Sequence, residues 1–210
     1  LIAGDGDLTA AAVFTRNQAA AAPVRLSQEQ LSRRKPVRAV VLNSGCANAA
    51  TGSRGLADAR AMVNAAASTV GCSHEEVLVC STGGIGKVLP VKKTIEGVMA
   101  AGEQLSAGAA AGTAAARASM TTDTVPKEST HTGEGFTVGG MAKGAGMVRP
   151  DMATMLVVIT TDAAAEPATL DAALRSAVDE SFHALNIDGC PSTNDTVILL
   201  ASGSSGVEPA

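Results

Sequence analysis

Apolar residues recur along the chain in two rhythms, and the rhythm changes at glycine- and proline-rich breaks. Short apolar runs at 37–42 (VRAVVL), 77–80, 136–141, 155–159 and 197–201 read as strands. The 155–159 run is apolar on both faces, as a central strand requires. A helical rhythm covers 54–70, where Leu56, Ala59, Val63, Ala66 and Val70 share a face and Gly71 stops the helix. Pro90 begins another helix, containing Ile95, Val98 and Met99. Pro167 opens a third, running to about Asn186 with a core stripe of Leu170, Leu174, Val178, Phe182 and Leu185. Residues 1–14 alternate around Gly4-Asp5-Gly6-Asp7, which predicts a hairpin turning at Asp-Gly. Residues 26–35 predict a short polar helix capped by Ser27, with Arg33-Arg34-Lys35 on a solvated face. Residues 100–118 are alanine-rich, but Gly102, Gly108 and Gly112 weaken a helix there. Strand and helix alternate without an internal repeat, which predicts an α/β fold.

Composition narrows the function. The 210 residues suit one domain, or one large domain plus a fragment. Three Phe and no Trp or Tyr leave nothing for base stacking, and the net charge of −4 argues against a phosphate-backbone binder, so no nucleic-acid partner is expected. No apolar run approaches the length that spans a bilayer, so no membrane partner is expected either. The four cysteines form no CxxC pair and the three His are scattered, so no metal site is expected. Cys80 ends an apolar run and reads as a buried small hydrophobe, and His183 as a structural or surface residue. Lacking a secretory signal, the chain is expected in a reducing, cytoplasmic compartment. The start at Leu1 and the tail SGSSGVEPA suggest cuts in a longer protein.

Candidate chemistry concentrates in 143–161, KGAGMVRPDMATMLVVITT. A glycine-punctuated, proline-broken loop meets an apolar strand at Ala153-Thr154, and a threonine there has a χ1 restricted by its β-methyl. A threonine hydroxyl needs a base. Cutting the Ala153–Thr154 bond would supply one, because a free α-amine has a reference pKa of roughly 7.7–8.0. A second candidate is the loop 81–86, STGGIG, whose backbone amides could face a phosphate or an oxyanion. The phosphate reading is weak, since Val88 stands where Ser or Thr should follow Lys87. Lys143, flanked by a glycine, could meet a carboxylate as a point charge. Asp195 in STNDT could be catalytic, but an Asx turn before a strand explains it equally well.

The motifs VFTRNQ, NSG, NAATG, CSTGGIG, MTTDTVPK, GGMAKGAGM, DMATML, TTDAA and STNDT occur in this order and closely resemble the ornithine acetyltransferase family, the bifunctional glutamate N-acetyltransferases of arginine biosynthesis. The resemblance implies an αββα sandwich of layered sheets between helices. It implies autocatalytic cleavage at Ala153–Thr154, with 1–153 as the first chain and 154–210 as the start of a second, truncated chain. Thr154 would carry the acetyl group, and Thr82 and Gly83 would form the oxyanion hole. Lys143 and Thr121 would bind substrate together with Thr154, Thr122 being the close rival to Thr121. The substrates implied are N2-acetylornithine and glutamate, with acetyl-CoA accepted by some members. No cofactor is implied, and the cleaved halves would assemble as a heterotetramer. Family members continue well past the residue equivalent to Ala210, and that distal half adds a glutamate and further polar residues to the pocket. Two rivals stand beside this reading: an N-terminal-threonine amidohydrolase or aminopeptidase, and a non-catalytic glycine-rich α/β binding domain.

Overall fold

A bent first strand, β1 (Ile2–Phe14), carries the architecture of the computed structural model, which describes residues 1–146, 155–186 and 188–209. It is followed by α1 (Ala22–Ser32), β2 (Val37–Cys46), α2 (Gly52–Val70), β3 (Val77–Gly84), α3 (Val91–Glu103) and α4 (Ala109–Ser119). Then come β4 (Lys127–Gly133), β5 (Phe136–Lys143), β6 (Leu156–Thr161), α5 (Pro167–Glu180) and β7 (Thr196–Ala201). The described strands form one sheet in the order β3-β2-β1-β7-β6-β5-β4.

The early part of β1 pairs with β2 through Ile2, Ala3 and Leu8, and Thr9 to Phe14 pair with β7. Between Ala3 and Leu8 the register shifts. Gly4-Asp5-Gly6-Asp7 is therefore the bend of one long strand and not the turn of the expected hairpin. A Cβ on Gly4 would lie 2.9 Å from the Leu8 side chain, which would have to shift to make room, so glycine suits this position in the bend.

The bend folds the sheet over itself. Val40, Leu78 and Cys80 from β2 and β3 share one buried cluster with Leu156, Val158, Ile198 and Leu200 from β6 and β7, although these strand pairs are not neighbours in the sheet. On the outer face of the first half, Ala59, Met62, Val63 and Ala66 of α2 and Val98 of α3 pack on Ala39, Val41, Val77 and Val79. On the outer face of the second half, Leu170, Leu174 and Val178 of α5 pack on Val157, Val197 and Ala201. The result is helix, sheet, sheet, helix: the α/β fold that the alternation of strands and helices predicts, in the layering that the resemblance implies.

Several local expectations change. α1 starts at Ala22 with a proline in its first turn, so Ser27 lies inside the helix and is not its cap. Its buried hydroxyl accepts the Val79 N–H and donates to the Val79 carbonyl, both at 2.8 Å, and so satisfies the open edge of β3. α5 ends at Glu180, short of Asn186: Ser181 leaves helical geometry (φ −127°, ψ −85°) and donates to the Ala177 carbonyl. Leu185 is consequently exposed. Of Ile95, Val98 and Met99, only Val98 is buried. The alanine-rich stretch does form a helix, α4, beginning after Gly108 at φ +97°. The polar strand β4 carries no apolar alternation that could have announced it, and it is held through its ladder with β5.

Candidate active site

β3 ends in Ser81-Thr82-Gly83-Gly84, the continuation of a fully buried strand. Gly83 has φ +128°, and a Cβ there would sit 2.3 Å from the Gly45 carbonyl carbon of β2. No other residue satisfies both the dihedral and the approach of the two backbones. Thr82, 1% exposed, and Gly83 pack closely against Ala47, Ile85 and residues 192–194, with no room for a water molecule between them.

Lys143 ends β5 directly opposite Leu156 of β6. It is 2% exposed, and its Nζ donates to Thr82 Oγ1 at 2.9 Å. β3 and β5 are far apart in the sheet order, so only the folding-over of the sheet brings these residues together. An ammonium has donors and no acceptor. Thr82 Oγ1 therefore accepts from Lys143, and its own proton is left to point at another oxygen. Burial pulls the Lys143 ammonium below its ordinary pKa; the charges of Asp123 and Asp195 act against this, and that of Lys127 adds to it.

The STNDT segment closes the same end of the sandwich. Asn194 Nδ2 donates to the Ala47 carbonyl at 2.7 Å and to the Ser81 carbonyl at 2.9 Å. Thr15 of the VFTRNQ motif donates from its hydroxyl to the Ser192 carbonyl and from its amide to the Asp195 carbonyl. Asp195 is fully buried, and its Oδ1 accepts the Met155 N–H at 2.8 Å. Burial pushes its carboxyl up to about 7, against the Met155 amide, Ser192 and Lys143, which favour the charged form. An Asx turn is thus not what its carboxylate does, since the hydrogen bond reaches a residue 40 positions away. The notation STNDT carried no sign of this, because only the fold sets Met155 beside it.

Asp123 ties the threonine segment to Lys143. Its Oδ1 accepts from the Gly144 amide at 2.7 Å and from Lys127 Nζ, and its Oδ2 from the Thr121 amide at 3.3 Å. Burial would raise this carboxyl, but Lys127 and the two amides outweigh it and hold it below the usual carboxylate value. Thr121 and Thr122 are both exposed, so either hydroxyl remains a candidate. Ala153 and Thr154 lie outside the described residues. The structure therefore brings Thr82, Gly83 and Lys143 together, sets Thr121 near Lys143 through Asp123, and places Met155, the residue after Thr154, on Asp195. Among the described residues no group of His, Cys, Asp and Glu is arranged to hold a metal ion, and no helix is long and apolar enough to cross a membrane.

The model of the ArgJ family matches residues 1–210. The chain belongs to the ArgJ family. It is 53% identical over 209 residues to the arginine biosynthesis bifunctional protein ArgJ of Mycobacterium leprae, covering 97% of this chain and 51% of that one. The ArgJ protein of Streptomyces coelicolor is 56% identical over 201 residues, covering 96% and 52%. The chain spans about half the length of the curated ArgJ relatives it matches. Among solved structures, the ornithine acetyltransferase of Mycobacterium tuberculosis complexed with ornithine is similar at a TM-score of 0.66 and 45% identity, over 70% of this chain and 78% of that one. The ArgJ protein of Bacillus halodurans is similar at a TM-score of 0.64 and 38% identity, over 73% and 80%. The layered sandwich is that of ArgJ proteins.

Proposed function

We propose that this chain supplies the nucleophile and oxyanion side of an acetyltransferase that moves an acetyl group from N2-acetylornithine to glutamate. The observation that carries the reading is the buried hydrogen bond from Lys143 to Thr82, one strand position from Met155. It leaves the Thr82 hydroxyl proton free for a developing oxyanion and puts a fixed positive charge beside it.

In this mechanism the chain first cuts itself. The Thr154 hydroxyl attacks the Ala153 carbonyl carbon, the C–N bond breaks, and the nitrogen takes a proton to become a free α-amine. Water then opens the resulting ester, giving a carboxylate on Ala153 and restoring the hydroxyl. In acetyl transfer the amine takes the hydroxyl proton as the oxygen attacks the acetamide carbonyl of N2-acetylornithine. It returns that proton to the departing amine of ornithine. Glutamate attacks the acetyl ester in turn. Each oxyanion donor contributes about 10²–10³ in rate, which is the share assigned to Thr82 and to Gly83. Lys143 and Thr121 would hold the substrate's charged end. The bound ornithine of the Mycobacterium tuberculosis relative supports an amino-acid substrate of this size. Cleavage would give 1–153 and a second chain beginning at Thr154, assembling as a heterotetramer in the cytoplasm. Acetyl-CoA as a second donor is tested with the same preparation.

The test is the full-length protein beside its Thr154→Ala variant. Intact mass should show two fragments meeting at Ala153/Thr154 in the wild type and one chain in the variant, and only the wild type should move acetyl to glutamate. A full-length wild type that stays uncut and inactive defeats the proposal. Acetate release that does not need glutamate replaces it with an amidohydrolase.

A further inference from the structure

The Asp195 carboxylate reaches a backbone amide far away in sequence. Oδ1 accepts the Met155 N–H at 2.8 Å, the Met155 carbonyl accepts the Thr196 N–H at 3.0 Å, and the Asp195 carbonyl accepts the Thr15 N–H at 2.9 Å. Met155 is thus held through both its N–H and its C=O, immediately before β6 and next to the residue that pairs with Lys143. Asp195 Oδ2 is buried without a hydrogen-bond partner among the described residues. A buried carboxylate with an orphan oxygen is costly, and a neutral side chain of the same shape would serve the turn at less expense. What this position supplies to the fold is an acceptor oxygen for the Met155 N–H.

We propose that Asp195 is a positioning residue for Thr154: by holding the Met155 N–H beside the Thr82–Lys143 pair, it fixes the covalent neighbour from which the nucleophile projects. This rests on the proposed function. After the cut, the bond to Met155 is the only covalent tether Thr154 has. Consecutive Cα atoms lie about 3.8 Å apart across a trans peptide, so a fixed Met155 confines its neighbour, and a loosened one releases it. Asn194, the preceding residue, clamps the end of β3 through the Ser81 carbonyl. Adjacent side chains of one segment therefore hold the nucleophile's strand and the oxyanion turn in a common frame.

The experiment uses the full-length protein and its Asp195→Asn and Asp195→Ala variants. Asparagine keeps an oxygen that can accept the Met155 N–H, and alanine removes it. Cleavage is followed by intact mass against time, folding by circular dichroism, and the grip by hydrogen exchange of the Met155 amide. The alanine variant should fold, exchange that amide faster and cleave about 100-fold more slowly, while the asparagine variant stays within about 10-fold of wild type. Should alanine prevent folding, Asp195→Leu, of similar volume and without an acceptor, takes its place. A folded alanine or leucine variant that cleaves at the wild-type rate overturns the proposal, and so does an asparagine variant as slow as the alanine one. If the wild type itself is never cut, the proposed function fails and this role with it; a cut wild type beside an unaffected alanine variant overturns only the role of Asp195.

Discussion

Two groups of charged side chains lie on this molecule under opposite conditions. At the edge beside β3, Glu29 of α1 meets Arg33 and Arg60, and Glu75 meets Arg33 and Lys35, all at least partly in solvent. At the end of the sandwich that the STNDT segment closes, Lys143, Asp195 and Asp123 are buried. The first group loses little hydration and gains little, because water and salt screen exposed pairs. The second has given up its water, and each member is held by specific amides or hydroxyls. Charges that remain dry at a strand end, at such cost, are the better guide to where chemistry happens.

The largest effect should come from Thr82→Val, which keeps the shape and removes the hydroxyl that Lys143 orients. The proposed self-cleavage of the full-length protein, timed by intact mass, should slow about 10²–10³-fold, or roughly 2.7–4 kcal/mol of barrier. Gly83→Ala attacks the same turn through its backbone. With φ +128° and a contact of 2.3 Å to Gly45, the alanine should cost more than about 2 kcal/mol in urea unfolding, whereas Gly206→Ala, also at positive φ but with open space around it, should cost less.

Protonation separates the two buried carboxylates. The Asp195 carboxyl is raised from 3.8 to about 7, so its contribution to stability is fully present below 3.8 and is lost as pH rises through 7. Asp123 is lowered, so its contribution is present above the ordinary carboxylate value and is lost as pH falls. Melting curves should therefore show Asp195→Asn gaining on the wild type as pH rises from about 4 to 8, and the deficit of Asp123→Asn staying constant over that window and shrinking only as pH falls below the ordinary carboxylate value of 3.8. Equal behaviour of the two variants would erase the distinction between them. The smallest effect belongs to the exposed group: Arg60→Ala should change unfolding free energy by less than about 1 kcal/mol and by still less in concentrated salt. A larger loss would mean that the surface network is worth more than its exposure allows.

Legibility in the sequence followed burial. α2 was readable because one face is apolar at helical spacing and Gly71 ends it in the left-handed region, at φ +77°. β2, β3, β6 and β7 were readable because they are buried on both sides and their residues are correspondingly apolar. β4 was not, because its side chains face solvent and only its backbone pairing makes it a strand. Ser27 looked like a helix cap because serine caps helices in general, and nothing local reveals that its hydroxyl completes the edge of a strand 52 residues away. Within the candidate site, the STG turn and Lys143 stand out through their motifs, Asp195 stands out only as a residue that an Asx turn explains equally well, and Asp123 does not stand out. A carboxylate in a polar loop reads the same whether it faces water or a distant amide.

The order of residues alone determined the α/β alternation, most of the central strands, the family resemblance and the candidates Thr82, Gly83 and Lys143, because hydrophobic period, glycine and short motifs are local properties. The tertiary structure alone decided that Gly4 to Asp7 bend one strand, that this bend folds the sheet over so that Lys143 reaches Thr82, and that Asp195 holds Met155. Those contacts join strands far apart in the chain, and no local pattern encodes a distance that only the packing of two sheet faces can close.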